Sequence, residues 1–169
     1  MKIDVSSILK ETGGKIDIDG TVMLNDTEFL GEYRFDAPLT VNGSISNNGK
    51  SLIMRAEVSG EVNTNCARCM KDITVPVRFD IDENLVREGG GVDAESDVIL
   101  FHDNTVLIDD IVYDNFIMNV PGKYLCREDC KGLCPTCGKD LNEGDCGCDA
   151  EAIDPRWAAL ADIMKNNKE

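Results

Sequence analysis

The chain has little of several residue types on which common functions depend. Its 169 residues include one histidine, one tryptophan, three tyrosines and five phenylalanines. Lys and Arg number 17 against 32 Asp and Glu, which gives a formal net charge of −15. Because nonspecific binding to nucleic-acid phosphates draws on Lys and Arg, this balance excludes a histone-like or polybasic protein. The few aromatic residues, together with 15 glycines, predict a thin core that needs support besides apolar burial.

Long hydrophobic runs are also missing. No stretch approaches the roughly 20 consecutive apolar residues that span a membrane. The N-terminal residues Met1 to Val5 carry no apolar signal-peptide core. We therefore expect a cytoplasmic protein with no membrane partner. In that reducing compartment, eight cysteines indicate metal ligands more readily than disulfides.

Apolar and polar residues alternate through much of the first 85 residues, which is the period of a strand with one buried face. The apolar positions of four such runs are Ile16, Ile18, Val22 and Leu24; Leu39, Val41 and Ile45; Leu52, Met54, Ala56, Val58 and Val62; and Ile73, Val75, Val77, Phe79 and Ile81. A tight turn is predicted at Asn47-Asn48-Gly49, since Asn and Gly tolerate positive φ. The pattern predicts an antiparallel β meander or a small barrel.

Helical patterns follow the predicted strands. A helix is predicted near 109–119, with acidic residues in its first turn and Pro-Gly after its end. A cap residue, a proline and one apolar stripe predict a second helix over 154–164. The predicted class is therefore α+β. It comprises a β-rich domain over 1–122 and a Cys-rich zinc-knuckle segment with the C-terminal helix over 123–169, packed on the first part.

Four of the eight cysteines form a compact motif near the end of the chain. Cys134 and Cys137 are two residues apart and Gly138 follows, as in a zinc knuckle, where two thiolates turn toward one ion. Cys146 and Cys148 come soon after and can complete a four-thiolate site. The motif predicts a zinc ion here, with disulfides or free buried thiols as the alternatives.

The other four cysteines are more widely separated. Cys66 and Cys69 lie between two predicted strands. Cys126 and Cys130 are the simplest choice for the other two ligands, because two sites of four ligands then use all eight cysteines. A second zinc ion there would tie the two halves of the chain together. The alternatives for Cys66 and Cys69 are reduced core thiols or a redox pair. A thioredoxin-like redox pair opens a helix, whereas an alternating strand pattern follows Cys69.

Catalysis has little support in the sequence. A catalytic zinc keeps an open position, often among histidines, and works with a nearby base. The single histidine, His102, lies beside a brief apolar run. We expect a protein that is not an enzyme. A thiol- or metal-dependent enzyme, or a zinc-sensing or purely structural interaction module, remains the alternative.

Several motifs together resemble the YceD family, also called DUF177. They are Cys66-Ala67-Arg68-Cys69 after an alternating strand, Val120-Pro121 at a helix end, the run from Leu125 to Asn142, and Asp154-Pro155-Arg156-Trp157-Ala158-Ala159-Leu160. The resemblance covers nearly the whole chain. It implies a small bacterial protein linked to accumulation of large-subunit (23S) ribosomal RNA, often encoded next to ribosomal protein L32, with no known reaction. Some members lack much of the C-terminal cysteine cluster, so Cys66, Cys69 and the surface around Arg68 are better candidates for the shared functional element.

The net charge of the chain favours one of the two kinds of partner, ribosomal protein or RNA, that the resemblance suggests. Residues 1–90 carry a net −5 and residues 91–169 a net −10. Two zinc ions among eight thiolates would deepen the total to about −19. Such a field attracts basic ribosomal proteins, such as L32, and repels RNA, although acidity also serves solubility.

A local basic patch offers a second mode of contact. Its members flank the Cys66–Cys69 motif and are Lys50, Arg55, Arg68, Lys71 and Arg78. These cations are candidates for contact with phosphates of large-subunit rRNA or a pre-ribosome. The sequence thus predicts a non-enzymatic factor in large ribosomal subunit biogenesis that binds a ribosomal protein or rRNA.

Overall fold

The computed structural model describes residues 1–24, 33–89 and 98–148. The elements in chain order are β1 (Lys2–Asp4), α1 (Ser6–Leu9), β2 (Lys15–Val22), β3 (Leu39–Asn47), β4 (Leu52–Asn65), β5 (Asp72–Arg87), β6 (Ile99–Phe101), β7 (Thr105–Leu107) and α2 (Ile108–Asn119). The predicted α+β class is confirmed. The helix predicted over 154–164 lies outside the described residues.

The alternating runs form an antiparallel meander in the order β2-β3-β4-β5, and β6 adds to β5 in parallel. Within the described residues the sheet order ends at β2 and β6, so the chain forms a meander here rather than a small barrel. The β4–β5 hairpin is the longest pairing, running from Leu52 opposite Leu85 to Asn65 opposite Asp72. Its turn, residues 66–71, contains the Cys-x-x-Cys motif.

Alternation places apolar side chains on one face of the sheet, where α2 covers them. The core centres on Phe116, which is 1% exposed. Its ring packs edge-on against Tyr33 and Phe35, with centroids 5.7 and 5.2 Å away. The phenylalanine of β5, Phe79, lies 6.4 Å from the same ring. Four aromatic rings therefore meet at one point of a core that is elsewhere mainly aliphatic.

A second, two-stranded sheet pairs β1 with β7 and lies beside the start of α2. The N-terminal amine of Met1 forms an ion pair with Asp109 in the first turn of α2. The predicted turn after β3 is present, with Gly49 at φ 90°. Asn47, at the end of β3, donates from Nδ2 to the carbonyl oxygen of Ile8, 2.7 Å away, and so holds α1 against the sheet.

The segment after α2 returns to the turn of the β4–β5 hairpin. The backbone N–H of Ala67 donates to the carbonyl oxygen of Tyr124 at 2.9 Å, and that of Leu133 donates to Arg68 at 3.0 Å. These bonds bring the two halves of the cysteine pattern together. No helix in the described parts of the chain is long and apolar enough to cross a membrane.

Candidate metal centres

The hairpin turn directs two thiols to the same side. The N–H of Cys66 donates to Lys71 O at 2.8 Å, and the N–H of Met70 donates to Cys66 O at 2.9 Å, which closes the turn. Met70 has φ 59°, a left-handed conformation at the tip. Cys66 and Cys69 are buried as a result. The turn thus supplies one half of a possible ligand set, held by backbone hydrogen bonds.

We name Cys66, Cys69, Cys126 and Cys130 the first cysteine group. Their Sγ atoms all lie within 4.8 Å of one another. Two of the separations, Cys66–Cys130 and Cys69–Cys126, are 3.8 and 3.7 Å. A tetrahedron with metal–sulfur bonds of about 2.3 Å has edges of about 3.8 Å. The sulfur positions therefore fit one tetrahedral ion, and all four thiols are free of disulfides.

The second cysteine group consists of Cys134, Cys137, Cys146 and Cys148, whose Sγ atoms also lie within 4.8 Å of one another. The N–H of Cys134 donates to Lys139 O, and the N–H of Gly138 donates to Cys134 O, both at 2.8 Å. Cys134 is buried, Cys137 is exposed, and the other two are intermediate. This group has the knuckle form that its spacing predicts, and it lies closer to solvent than the first group.

The environment of the first group favours sharing of protons among its thiols. Burial raises the pKa of Cys66, but hydrogen bonds from the backbone of Cys126 and Cys69 outweigh it and lower that pKa to about 6. Burial, and then the neighbouring Cys130, raise the pKa of Cys126 to about 12. Burial and the local hydrogen bonds thus shift the pKa values of these two neighbouring thiols in opposite directions. A divalent cation can displace thiol protons and neutralise the thiolates.

The second group shows the same contrast. Backbone hydrogen bonds from Cys137 and Thr136 lower the pKa of Cys134 to about 6. Hydrogen bonding with Cys137 and then Cys146 raises the pKa of Cys148 to about 12. Both groups therefore combine close sulfurs with backbone N–H donors, so that both could hold a metal ion.

Two cations of the predicted basic patch lie beside the first group. The Arg68 guanidinium donates to the carbonyl oxygens of Cys130 at 2.7 Å and Glu128 at 3.2 Å. The Lys71 ammonium lies 2.9 Å from Asp140 Oδ2, and this contact raises the pKa of Lys71 and lowers that of Asp140 to about 2. These cations join the hairpin turn to the cysteine-rich segment.

Lys50 is exposed in the turn between β3 and β4, whereas the other two cations of the patch pair with acids. Arg55 on β4 forms an ion pair with Asp82, 3.2 Å away on β5. Arg78 forms an ion pair with Glu57 across the same two strands. The patch as predicted is therefore interleaved with carboxylates, a feature that cation positions in the sequence could not show. Contact of these cations with a partner stays a prediction.

His102 belongs to neither cysteine group. It is exposed and pairs through Nδ1 with a carboxylate oxygen of Glu88 at 2.5 Å. The structure thus gives the single histidine a surface contact with a carboxylate, and in the described part of the chain both candidate centres consist of cysteines.

The fold and these groups define an α+β protein in which two four-cysteine groups lie beside one hairpin turn. Residues 54–164 match the family model described as large ribosomal RNA subunit accumulation protein YceD, and the chain belongs to that family. The resemblance seen in the motifs is confirmed. The family description implies a role in accumulation of large-subunit ribosomal RNA.

The alignments with two relatives cover most of the chain. The Bacillus subtilis (strain 168) protein YlbN is 28% identical over 158 residues, which are 90% of each chain. The Mycobacterium tuberculosis (strain H37Rv) protein Rv2926c is 25% identical over 169 residues, which cover 97% of this chain and 81% of its own length. No solved structure matches the chain.

Proposed function

We propose that this chain is a non-enzymatic cytoplasmic factor in large ribosomal subunit biogenesis. It supports accumulation of 23S rRNA by binding a basic ribosomal protein, and L32 is the candidate that the family resemblance suggests. The observation that carries the choice of partner is the charge, −15 over 169 residues. A field of this sign speeds encounter with a cationic protein and opposes encounter with bare RNA.

The outward face of the sheet supports this choice. Asp19 lies opposite Asn42, Asn42 opposite Glu57, and Glu57 opposite Asp80, so one row crosses four strands and carries three acids. With strands about 4.8 Å apart, the row is roughly 14 Å long. Arg78 pairs with Glu57 within this face. The acids at the two ends of the row are exposed and suit the side chains of a Lys- and Arg-rich segment.

Each cysteine group, in this proposal, holds one Zn²⁺, giving two ions per chain. Four thiolates are a complete ligand set for a structural zinc and leave no position for water or substrate. The proposal therefore includes no reaction. The first ion would fasten the cysteine-rich segment to the hairpin turn, and the second would order the knuckle beside it.

The direct test measures binding of purified zinc-loaded chain to purified L32 and to naked 23S rRNA fragments at low and high salt. We expect L32 binding that weakens as salt rises, since screening shortens the reach of the charges. Recovery of rRNA fragments with no binding to ribosomal protein would contradict the proposed partner. In cells, loss of the chain should lower the ratio of 23S to 16S rRNA.

A matched pair of charge variants locates the contact. Asp19→Lys with Asp80→Lys changes the acidic row, whereas Asp103→Lys with Asp114→Lys makes the same change in net charge at exposed positions elsewhere. We expect the first pair to weaken L32 binding by at least tenfold and the second by much less. Equal losses would point to net charge alone and would remove the sheet face from the proposal.

A further inference from the structure

Asn142 contacts the first cysteine group from outside its ligand set. Its Nδ2 donates to Cys130 Sγ at 3.4 Å and to Asp140 Oδ1 at 2.6 Å. Asn142 lies between the two halves of the second cysteine group in sequence, after Cys137 and before Cys146. One side chain carried by the second group's segment therefore reaches a sulfur of the first group.

The orientation of this amide follows from its neighbours. Asn142 Oδ1 accepts from the N–H of Lys131 at 2.8 Å and from the Arg127 guanidinium at 2.7 Å. A flipped amide would set its NH2 against these two donors and its oxygen against Cys130 Sγ and the Asp140 carboxylate. Only one orientation satisfies all four contacts, so the donor toward the sulfur is fixed by the network.

Asp140 holds Asn142 in position from the other side. Its Oδ1 also accepts from the backbone N–H of Asn142 at 2.8 Å, and its Oδ2 lies 2.9 Å from the Lys71 ammonium. Lys71 lies in the hairpin turn, two positions after Cys69 of the first group. A chain of contacts therefore runs from Lys71 in the turn to Asp140, from Asp140 to Asn142, and from Asn142 to Cys130 of the first group.

The backbone around Asn142 belongs to the knuckle. Leu133 and Asp140 form a β-bridge, and the N–H of Leu141 donates to Gly132 O at 2.9 Å. The N–H of Cys134 donates to Lys139 within the same loop. The loop that presents Asn142 is thus closed by backbone hydrogen bonds and lies between Cys137 and Cys146 of the second cysteine group.

We propose that Asn142 is a positioning residue for the metal ion of the first cysteine group, and that an ion in the second group holds Asn142 in place. The inference rests on the proposed metal binding and adds to it a coupling between the two sites. An N–H donor toward a ligating sulfur orients it and spreads its charge, and loss of such outer contacts typically lowers metal affinity about 10–100-fold. By linkage, each ion then raises the affinity of the chain for the other.

The test uses cadmium in place of zinc, because ¹¹³Cd NMR gives each four-sulfur site its own resonance. The variant Asn142→Asp keeps the oxygen that Lys131 and Arg127 contact and replaces the NH2 donor with an oxygen of a charged carboxylate. Asn119→Asp, in α2, is the matched control, since it makes the same change where Nδ2 donates to a backbone carbonyl. The variant Cys126→Ser with Cys130→Ser assigns the first group's resonance by removing it.

We expect Asn142→Asp to shift the first group's resonance and to lower that group's affinity in chelator competition by about 10–100-fold. The second group's resonance and the far-UV circular dichroism should match the parent, as should every readout of Asn119→Asp. Cys146→Ser with Cys148→Ser should weaken the first site in the same direction.

Three outcomes would count against the inference. An Asn142→Asp protein with an unshifted first resonance and affinity within twofold of the parent would overturn the role of Asn142. A first site unaffected by loss of the second would overturn the coupling. A parent protein that binds no cadmium would refute the metal sites themselves, which separates failure of the proposed function from failure of this inference.

Discussion

Removal of the first metal site should destabilise the sheet, because that site closes a long loop. The variant Cys126→Ser with Cys130→Ser removes two of its four ligands and leaves the hairpin turn intact. Cys69 and Cys126, the nearest ligands on the two sides, are 57 positions apart in the chain. A metal that joins them restricts the unfolded chain as a disulfide would.

The size of the effect follows from that loop. Chain-entropy arithmetic for a closed loop of 57 residues gives about 4 kcal/mol at 25 °C. For a chain of this length, each kcal/mol shifts the melting temperature by about 2–4 °C, so we expect a fall of roughly 8–16 °C. The second group spans the short stretch from Cys134 to Cys148, and its loop contacts the hairpin turn where Lys71 pairs with Asp140 and Glu143.

The assay is thermal unfolding of zinc-loaded protein, followed by the strand signal in far-UV circular dichroism at fixed free zinc. Cys146→Ser with Cys148→Ser is the matched control, with the same number and type of changes. Its melting temperature should fall by clearly less than that of the first-group variant. Equal falls in the two variants, or an unchanged melting temperature after loss of the first group, would refute the cross-link.

Three further results are expected. Phe116→Ala should lower the free energy of unfolding in urea by about 3–5 kcal/mol, since it empties the centre of the core, whereas Met118→Ala, 83% exposed in the parent, should change it by less than about 0.5 kcal/mol. Gly132→Ala should weaken metal binding by the first group more than Gly138→Ala, because both have positive φ but only the former would bring a Cβ within 2.9 Å of Arg68 O. In zinc-loaded protein all eight thiols should resist alkylation until a chelator is added, and one rapidly alkylated cysteine would favour the enzyme alternative instead.

The meander could be predicted because its strands are long and one-faced. In β4, for example, Met54 and Val58 are fully buried, and Arg55 between them is exposed. The three-residue strands β1 and β7 could not be predicted, since so short a stretch shows no period. The parallel addition of β6 to β5 depends on the path of the intervening chain, about which local alternation says nothing.

The cysteine groups could be predicted to different depths. The spacing of Cys134, Cys137, Cys146 and Cys148 defines a local motif, so the sequence alone indicated that they converge. The sequence assigns Cys126 and Cys130 to the hairpin cysteines only because two four-ligand sites then use all eight cysteines. The structure brings those four sulfurs together. That pairing is set by the way the segment after α2 crosses the hairpin turn.

The network around the first group could not be predicted at all. The sequence predicts Arg68 and Lys71 as cations for a partner's phosphates, but it gives no sign of the carbonyl and carboxylate contacts that they also make within the chain. Which acid meets which cation depends on the register between two segments about 70 residues apart. Asn142 ends the motif run that begins at Leu125, but its contact with Cys130 Sγ could not be predicted, since an asparagine beside a knuckle resembles any loop asparagine.

The most direct test of the account is the metal content of the intact chain by native mass spectrometry, after purification under reducing conditions. We predict two Zn²⁺ per chain, with the mass of eight cysteines that carry no disulfide. A chain that carries no metal, or one whose cysteines have formed disulfides in that preparation, would contradict the two centres on which this account of the fold depends.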